Sequence, residues 1–221
     1  MSPPWRHGSR ERTPLPARCE VAVIGGGLAG LGLAAYLSEG GAETALFERR
    51  SLGGGLSGRE LGCAQTGLVD SPYRLELALG AAEAAEITEF TVQGLELLDG
   101  TGSLQRSGGL HVSKDSREEE EVVRSAELRR GMGLGCVLWT AAETGERLGS
   151  EGLGAACHVP AEGVYSPPHA IGALARRAGA AGASLHTGCE VLEVADIGES
   201  CIVRTDQGAV LCDAVVFAAN A

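Results

Sequence analysis

The segment that most constrains the fold is Val21-Ala22-Val23-Ile24, followed at once by Gly25-Gly26-Gly27-Leu28-Ala29-Gly30. Four consecutive apolar residues suit a strand covered on both faces, as in a parallel sheet. The glycines break that strand. From Leu28 to Ser38 the residues Leu28, Leu31, Ala34, Ala35 and Leu37 then recur at helical spacing, until Gly40-Gly41 stops the helix. Ala45-Leu46-Phe47 reads as a second strand ending at Glu48. Strand, helix and strand in so short a stretch make a compact βαβ unit.

The spacing of the glycines is G-x-G-x-x-G, and each has a mechanical task. Gly25 turns the chain sharply off the strand, Gly27 lets the backbone approach a pyrophosphate, and Gly30 lets the helix lie close to the sheet. Leu28 and Ala29 open the helix, whose free N–H groups and positive dipole end face the phosphates. Glu48 ends the second strand, where a carboxylate accepts the ribose hydroxyls of an adenosine, and Arg49 follows it. An acid at this position disfavours a 2′-phosphate. The pattern therefore predicts an adenine dinucleotide, NAD or FAD.

Composition excludes several other classes. A chain of 221 residues, 44% hydrophobic and 21% charged, is a globular sequence long enough to bury a core. Its net charge of −11 lacks the basic face that a nucleic acid requires. No run of eighteen apolar residues occurs, so no membrane span is expected. Residues 1–18, with Arg6, Arg10, Arg12, Arg18 and several prolines, read as a flexible tail and carry no secretory signal. Seven cysteines without a CxxC pair point to reduced thiols in a cytoplasmic protein rather than to disulfides or a metal site.

Beyond the βαβ unit, Ser51 to Gly67 is a glycine-rich loop and Tyr73 to Leu98 reads as helical. A strand is expected near Ser107 to Val112. A charged helix then runs from Ser116 to Arg130, with Ser116 as N-cap and Glu119 at capping-box spacing. Further strands are predicted at Cys136 to Trp139 and Ala156 to Val159, with a helix capped by Thr140 and Glu143 between them. Pro167-Pro168 opens a helix ended by Gly182. Strands follow at Cys189 to Val194 and Cys201 to Thr205, then a hairpin turn at Asp206-Gln207-Gly208, and a buried strand from Ala214 to Ala219.

A second motif separates FAD from NAD. Gly53-Gly54-Gly55-Leu56-Ser57-Gly58-Arg59-Glu60-Leu61-Gly62 resembles the "GxSGRNxG" loop of the FAD-dependent D-amino-acid oxidase family. That family takes in glycine and sarcosine oxidases and amine oxidases such as γ-glutamylputrescine oxidase. Val164-Tyr165-Ser166-Pro167-Pro168-His169 is similar to the family's entry to its next FAD-domain helix. The strand at 185–191 and the segment 213–221 resemble its adenine-side and ADP-side strands. The resemblance covers nearly all of residues 20–221. It implies an α/β, Rossmann-like FAD-binding domain interrupted by a partial α+β substrate domain. The implied division is 19–80 and 161–221 for the FAD domain and 81–160 for the substrate side. It places Gly25, Gly27, Leu28, Ala29, Gly30, Glu48, Arg49, Ser57, Gly58, Arg59, Val191, Ala218 and Ala219 on the cofactor.

Leu56, Glu60 and Ser166 depart from the family's usual small residue, Asn and Asp. A carboxylate at Glu60 is unfavourable near a reduced flavin, so a displaced or exposed loop is expected. The resemblance implies hydride removal from the carbon next to an amine, with a small amine or amino acid as substrate and FAD as acceptor. No side chain is assigned a catalytic role. Arg59 either supports the flavin or substrate carboxylate electrostatically, or pairs with Glu60 or Glu48. His111, His158, His169 and His186 lack ligand or triad spacing. Ser57 and Cys63 lack a base, and no metal site is expected.

Family members continue well past the strand that ends near Ala221, so a truncated form, or one completed by a second chain, is expected. Two alternatives stand beside the oxidoreductase: an NAD-dependent dehydrogenase domain, and a non-catalytic flavin-binding subunit. An exposed apolar face on the last sheet would favour the latter.

Overall fold

The computed structural model describes residues 13–68 and 70–220, without the Ser116 side chain. The first elements are β1 (Arg18–Ile24), α1 (Leu28–Glu39), β2 (Thr44–Glu48), β3 (Cys63–Ala64), α2 (Pro72–Leu79), α3 (Ala81–Asp99) and β4 (Leu104–Gln105). The middle of the chain holds β5 (Gly109–Val112), α4 (Ser116–Gly131), β6 (Val137–Trp139), α5 (Ala141–Leu148), β7 (Ala156–Val159) and β8 (Gly163–Tyr165). The last are α6 (Pro167–Ala180), β9 (Ser184–Thr187), β10 (Val191–Asp196), β11 (Cys201–Thr205) and β12 (Gly208–Phe217). They form two compact units, Met1–Glu60 with Pro167–Ala221, and Leu61–Ser166. Segments 61–80 and 161–166, assigned to the nucleotide domain from sequence, fold with the second unit.

The first unit is built on a six-stranded sheet in the order β10-β11-β12-β1-β2-β9. β12, β1, β2 and β9 run parallel, while β10, β11 and β12 form an antiparallel meander. On one face Val23 and Leu46 pack against Leu31, Ala34 and Ala35 of α1 and Ile171, Leu174 and Ala178 of α6. The alanines on the two helices let them approach closely. On the other face Cys19, Ala22, Ala45 and Phe47 meet Val203, Val210 and Cys212 of the meander, which takes the place of a second helix layer. Both faces of β1 and β2 are thus covered, which is why Val21–Ile24 and Ala45–Phe47 within them are continuously apolar.

The second unit holds two small sheets, β3-β8-β4 and β5-β7-β6, antiparallel at every pairing. Ala126 of α4 packs on Cys157 and Val159 of β7 to give that unit a core of its own. Thr140 and Glu143 form the expected capping box at the start of α5.

Several expectations are corrected. The N-cap of α4 is Asp115, not Ser116, because the Asp115 carboxylate accepts from the N–H groups of Arg117 and Glu118. The helical stretch at 73–98 divides at Gly80, whose φ of 97° is left-handed and breaks the ladder. The strand expected from Cys189 begins only at Val191, and β8 was not anticipated. Residues 1–12 of the expected tail lie outside the described residues. Leu15, by contrast, packs against the core, and Arg18 already begins β1. The expected buried strand at 214–219 ends at Phe217, with Val216 and Phe217 36% and 69% exposed. β11 stops pairing at Cys201–Cys212, so this last stretch of β12 has β1 beside it but not β11.

Candidate functional site

The site is built where β1 gives way to α1. Gly25 has φ of 116°, and its N–H donates to the Phe47 carbonyl at 2.8 Å. A Cβ on Gly25 would collide with the carbonyl oxygen of Ala218 and stand 2.9 Å from the Ala219 Cα. Ala218 is held there by its own N–H, which donates to the Ile24 carbonyl at 2.8 Å. A Cβ on Gly30 would collide in turn with the Gly25 carbonyl oxygen. Strand end, helix and the segment after β12 therefore nest at a distance that no side chain allows.

Gly27 caps α1 in an extended conformation, with no side-chain cap and no acidic residue in the first turn. Leu31 makes the first helical bond, to the Gly27 carbonyl at 3.0 Å. The N–H groups of Leu28, Ala29 and Gly30 precede it and point out of the helix end. Leu28 N–H donates to Ser57 Oγ at 3.2 Å, and a Cβ on Gly27 would stand 2.9 Å from that same oxygen. Ser57 reaches this position because its loop is pinned twice. Gly53 N–H donates to the Gly26 carbonyl at 2.8 Å, and Gly58 lies so close to Gly53 that a Cβ would strike its carbonyl. Arg59 and Glu60, at the end of this loop, are exposed, as is Leu56.

Glu48 stands beside this helix end. Its Oε2 accepts from Gly26 N–H at 2.8 Å and its Oε1 from Arg50 N–H at 2.7 Å. Each carboxylate oxygen keeps a further lone pair, so the group still accepts hydroxyl protons from a diol. The link between β9 and β10 is drawn alongside, with Gly188 N–H on the Arg50 carbonyl and Cys189 N–H on the Glu48 carbonyl, both at 3.0 Å. Val191 begins β10 two residues later and is half-buried. Arg49 is exposed next to Glu48.

The structure thus gathers Gly25, Gly27, Leu28, Gly30, Glu48, Ser57, Gly58, Ala218 and Ala219 around one helix amino terminus, with Ala29 exposed on it. The set fits a dinucleotide: donors and a dipole end for phosphates, a cradle that a Cβ would fill, and a carboxylate for a ribose. Sequence reasoning missed Gly26, Arg50 and Gly53, whose backbone groups orient Glu48 and the Ser57 loop. The run Gly53-Gly54-Gly55 was the available signal for the last of these.

The histidines fall elsewhere. His186 stacks on Phe47 with ring centroids 5.3 Å apart, and burial pulls its pKa down. His158 stacks on Trp139, over which Arg147 lies. His111 Nε2 lies 3.0 Å from Glu162 Oε2. Glu162 is fully buried, and its Oε1 accepts from Thr66 N–H at 3.0 Å and Thr66 Oγ1 at 2.6 Å. Arg129, also buried, stands 3.6 Å from the same oxygen. Burial alone pushes the Glu162 carboxyl up, but the hydrogen bonds from His111 and Thr66 outweigh it and hold it below its ordinary value. Among the described residues no group of three or more His, Cys, Asp or Glu side chains is placed to hold a metal ion. Among the same residues no helix is long and apolar enough to cross a membrane.

Comparison with known proteins agrees with this geometry. The family model described as FAD dependent oxidoreductase (DAO) matches residues 20–221. Glycine oxidase from Geobacillus kaustophilus is 29% identical over 214 residues, covering 92% of this chain and 55% of its own length. Its crystal structure superposes with a TM-score of 0.73 at 26% identity, over 93% of this chain and 56% of that one. 4-Methylaminobutanoate oxidase (formaldehyde-forming) from Paenarthrobacter nicotinovorans is 29% identical over 93% of this chain and 25% of its own length. The crystal structure of L-proline dehydrogenase from P. horikoshii matches with a TM-score of 0.75 at 26% identity, over 94% of this chain and 54% of that one. The chain thus spans about half, or less, of the length of these relatives.

Proposed function

This chain belongs to the FAD-dependent oxidoreductase family, and on that premise we propose that its first unit binds FAD as part of an enzyme oxidising a small amine or amino acid. The observation that carries this is the convergence of Gly25, Gly27, Gly30, Ser57 and Glu48 on one helix end. The pyrophosphate is received by the N–H groups at the start of α1, where Gly27 leaves room and the first turn of the helix carries no acidic residue. Glu48, aligned by the Gly26 and Arg50 N–H groups, holds the adenosine ribose, with Arg49 and Val191 beside it. Ser57, Gly58 and Arg59 carry the loop toward the flavin. FAD, when bound, supplies the hydride acceptor; the chain's residues bind and orient it.

The relatives named above oxidise glycine, a methylated amine or proline by their names, which supports the same substrate class here. The second unit is proposed as part of the substrate side. Seven free thiols support a reducing, cytoplasmic setting.

An absorbance scan of the purified protein, with identification of the released cofactor, tests the first claim. Flavin bands and released FAD are expected. A colourless protein with no saturable affinity for FAD, or one preferring NAD, overturns it. Anaerobic mixing with primary and secondary amines and amino acids tests the second. This chain alone is expected to bleach its flavin slowly or not at all, and rapid bleaching would show that it needs no further part.

A further inference from the structure

We propose that Cys201 and Cys212 form a reversible modification site, at which hydrogen peroxide drives a cross-strand disulfide at the base of the β11–β12 hairpin. Cys201 stands directly opposite Cys212 in the antiparallel β11–β12 pair, and Cys19 stands opposite Cys212 in the parallel β1–β12 pair. Three thiols therefore lie in one row across three adjacent strands. Directly opposed antiparallel residues share a face and have Cα atoms about 4.5–5.5 Å apart, inside the disulfide range of about 4.4–6.8 Å. Cys212 Sγ already reaches across to the Cys201 carbonyl oxygen at 3.5 Å. The row is not a metal site, since no group of metal-binding side chains is assembled among the described residues.

Access decides which thiol reacts first. Cys19 and Cys212 are buried at 3% and 0% exposure, whereas Cys201 is half-buried and reachable from solvent. The Cys201 thiolate attacks one peroxide oxygen, the O–O bond breaks and hydroxide leaves, giving a sulfenic acid. The Cys212 sulfur then attacks that sulfur, the S–S bond forms, and the S–O bond breaks to release water. In sum, two thiols lose two protons and two electrons, and one peroxide becomes two waters. Burial pushes the Cys19 thiol up to about 11, which keeps it protonated at neutral pH and out of exchange with the new disulfide. Burial also raises the Cys212 thiol, so it is Cys201, not Cys212, that meets the peroxide.

Peptide mapping of the full chain separates this from random oxidation. Trypsin cuts after Arg204, between the two cysteines, so the disulfide joins peptide Ala178–Arg204 to peptide Thr205–Ala221. The chain is treated with hydrogen peroxide, alkylated in denaturant and digested. Joined peptides linked through Cys201 and Cys212 are expected, and dithiothreitol should abolish them. Cys63 is the internal control: it is exposed and lies opposite Val164, so with no thiol across from it, it should pass to sulfinic and sulfonic acids. In Cys201→Ser the joined peptides should vanish and Cys212 should be alkylated only after denaturation. In Cys212→Ser, Cys201 should over-oxidise as Cys63 does. Over-oxidation of Cys201 in the unaltered chain, a Cys212 left as free thiol, or a link to Cys19 or Cys189 overturns the proposal.

Discussion

At the scale of single residues, the crevice rests on atoms that are missing. Gly25 combines φ of 116° with a neighbouring carbonyl where a Cβ would go, whereas Gly32, in the same segment, has nothing within 4 Å of its missing Cβ. Gly25→Ala should therefore cost about 2 kcal/mol or more, since left-handed strain alone costs roughly 1–2 kcal/mol. That corresponds to a fall of several degrees in the thermal midpoint, at roughly 2–4 °C per kcal/mol for a chain of this size. Gly32→Ala should instead stabilise by about 0.5–1 kcal/mol, because a helical glycine carries backbone entropy that alanine lacks. Melting both variants by circular dichroism checks the pair; equal shifts would show that packing around Gly25 is looser than described. Glu48→Gln places an amide where two N–H donors converge, so one of Gly26 and Arg50 loses its acceptor. A hydrogen bond to a charged group contributes about 1.5–3 kcal/mol, so FAD affinity should fall on the order of 10- to 100-fold. Titration calorimetry with FAD measures this directly, and an unchanged affinity would remove Glu48 from the ribose.

At the scale of elements, local signals were legible and long-range ones were not. β1, α1 and β2 follow from a run of apolar residues, three glycines and one helical period, all within one stretch of chain. The α5 capping box was equally local, and Thr140→Ala should cost about 1 kcal/mol because the Glu143 N–H loses its acceptor. Urea denaturation of that variant would check it, with a shift in midpoint at constant slope expected. The start of β10 was misplaced because Cys189, after Gly188, reads as the first residue of an apolar strand. Gly188 and Cys189 instead bond the carbonyls of Arg50 and Glu48, residues far away in sequence. β8 is three residues held between β3 and β4, and its pairing is likewise invisible locally. The α4 cap slipped by one because Asp115 and Ser116 both suit the position, and only the direction of the backbone decides between them. Of the candidate site, the glycines, Ser57 and Glu48 were readable; the donors that aim Glu48 were not, because backbone N–H groups carry no residue identity.

At the scale of the whole molecule, the two units answer to different conditions. Glu162, Thr66, Arg129 and His111 come from four distant points of the sequence, and all lie in the second unit. Because Glu162 titrates below its ordinary value in the folded chain, its contribution is fully present above the unfolded pKa of about 4.3. It is lost as pH falls through the lower, folded value. Acid should therefore loosen residues 61–166 first, seen as faster backbone hydrogen exchange in that span below about pH 4.3. FAD or ADP acts through the other unit: a ligand that binds only the folded crevice stabilises it by mass action, so protection should rise around α1, β2 and the β9–β10 link. Glu162→Gln separates the two effects. It leaves Arg129 buried without its anion, which costs about 3–5 kcal/mol, and it deletes the titrating group. Exchange in 61–166 should then be fast at neutral pH and gain little further from acid, while protection of the crevice by ADP persists. If the variant instead kept the native pH dependence, the acid response would belong to other carboxylates, and the buried cluster would be packing alone.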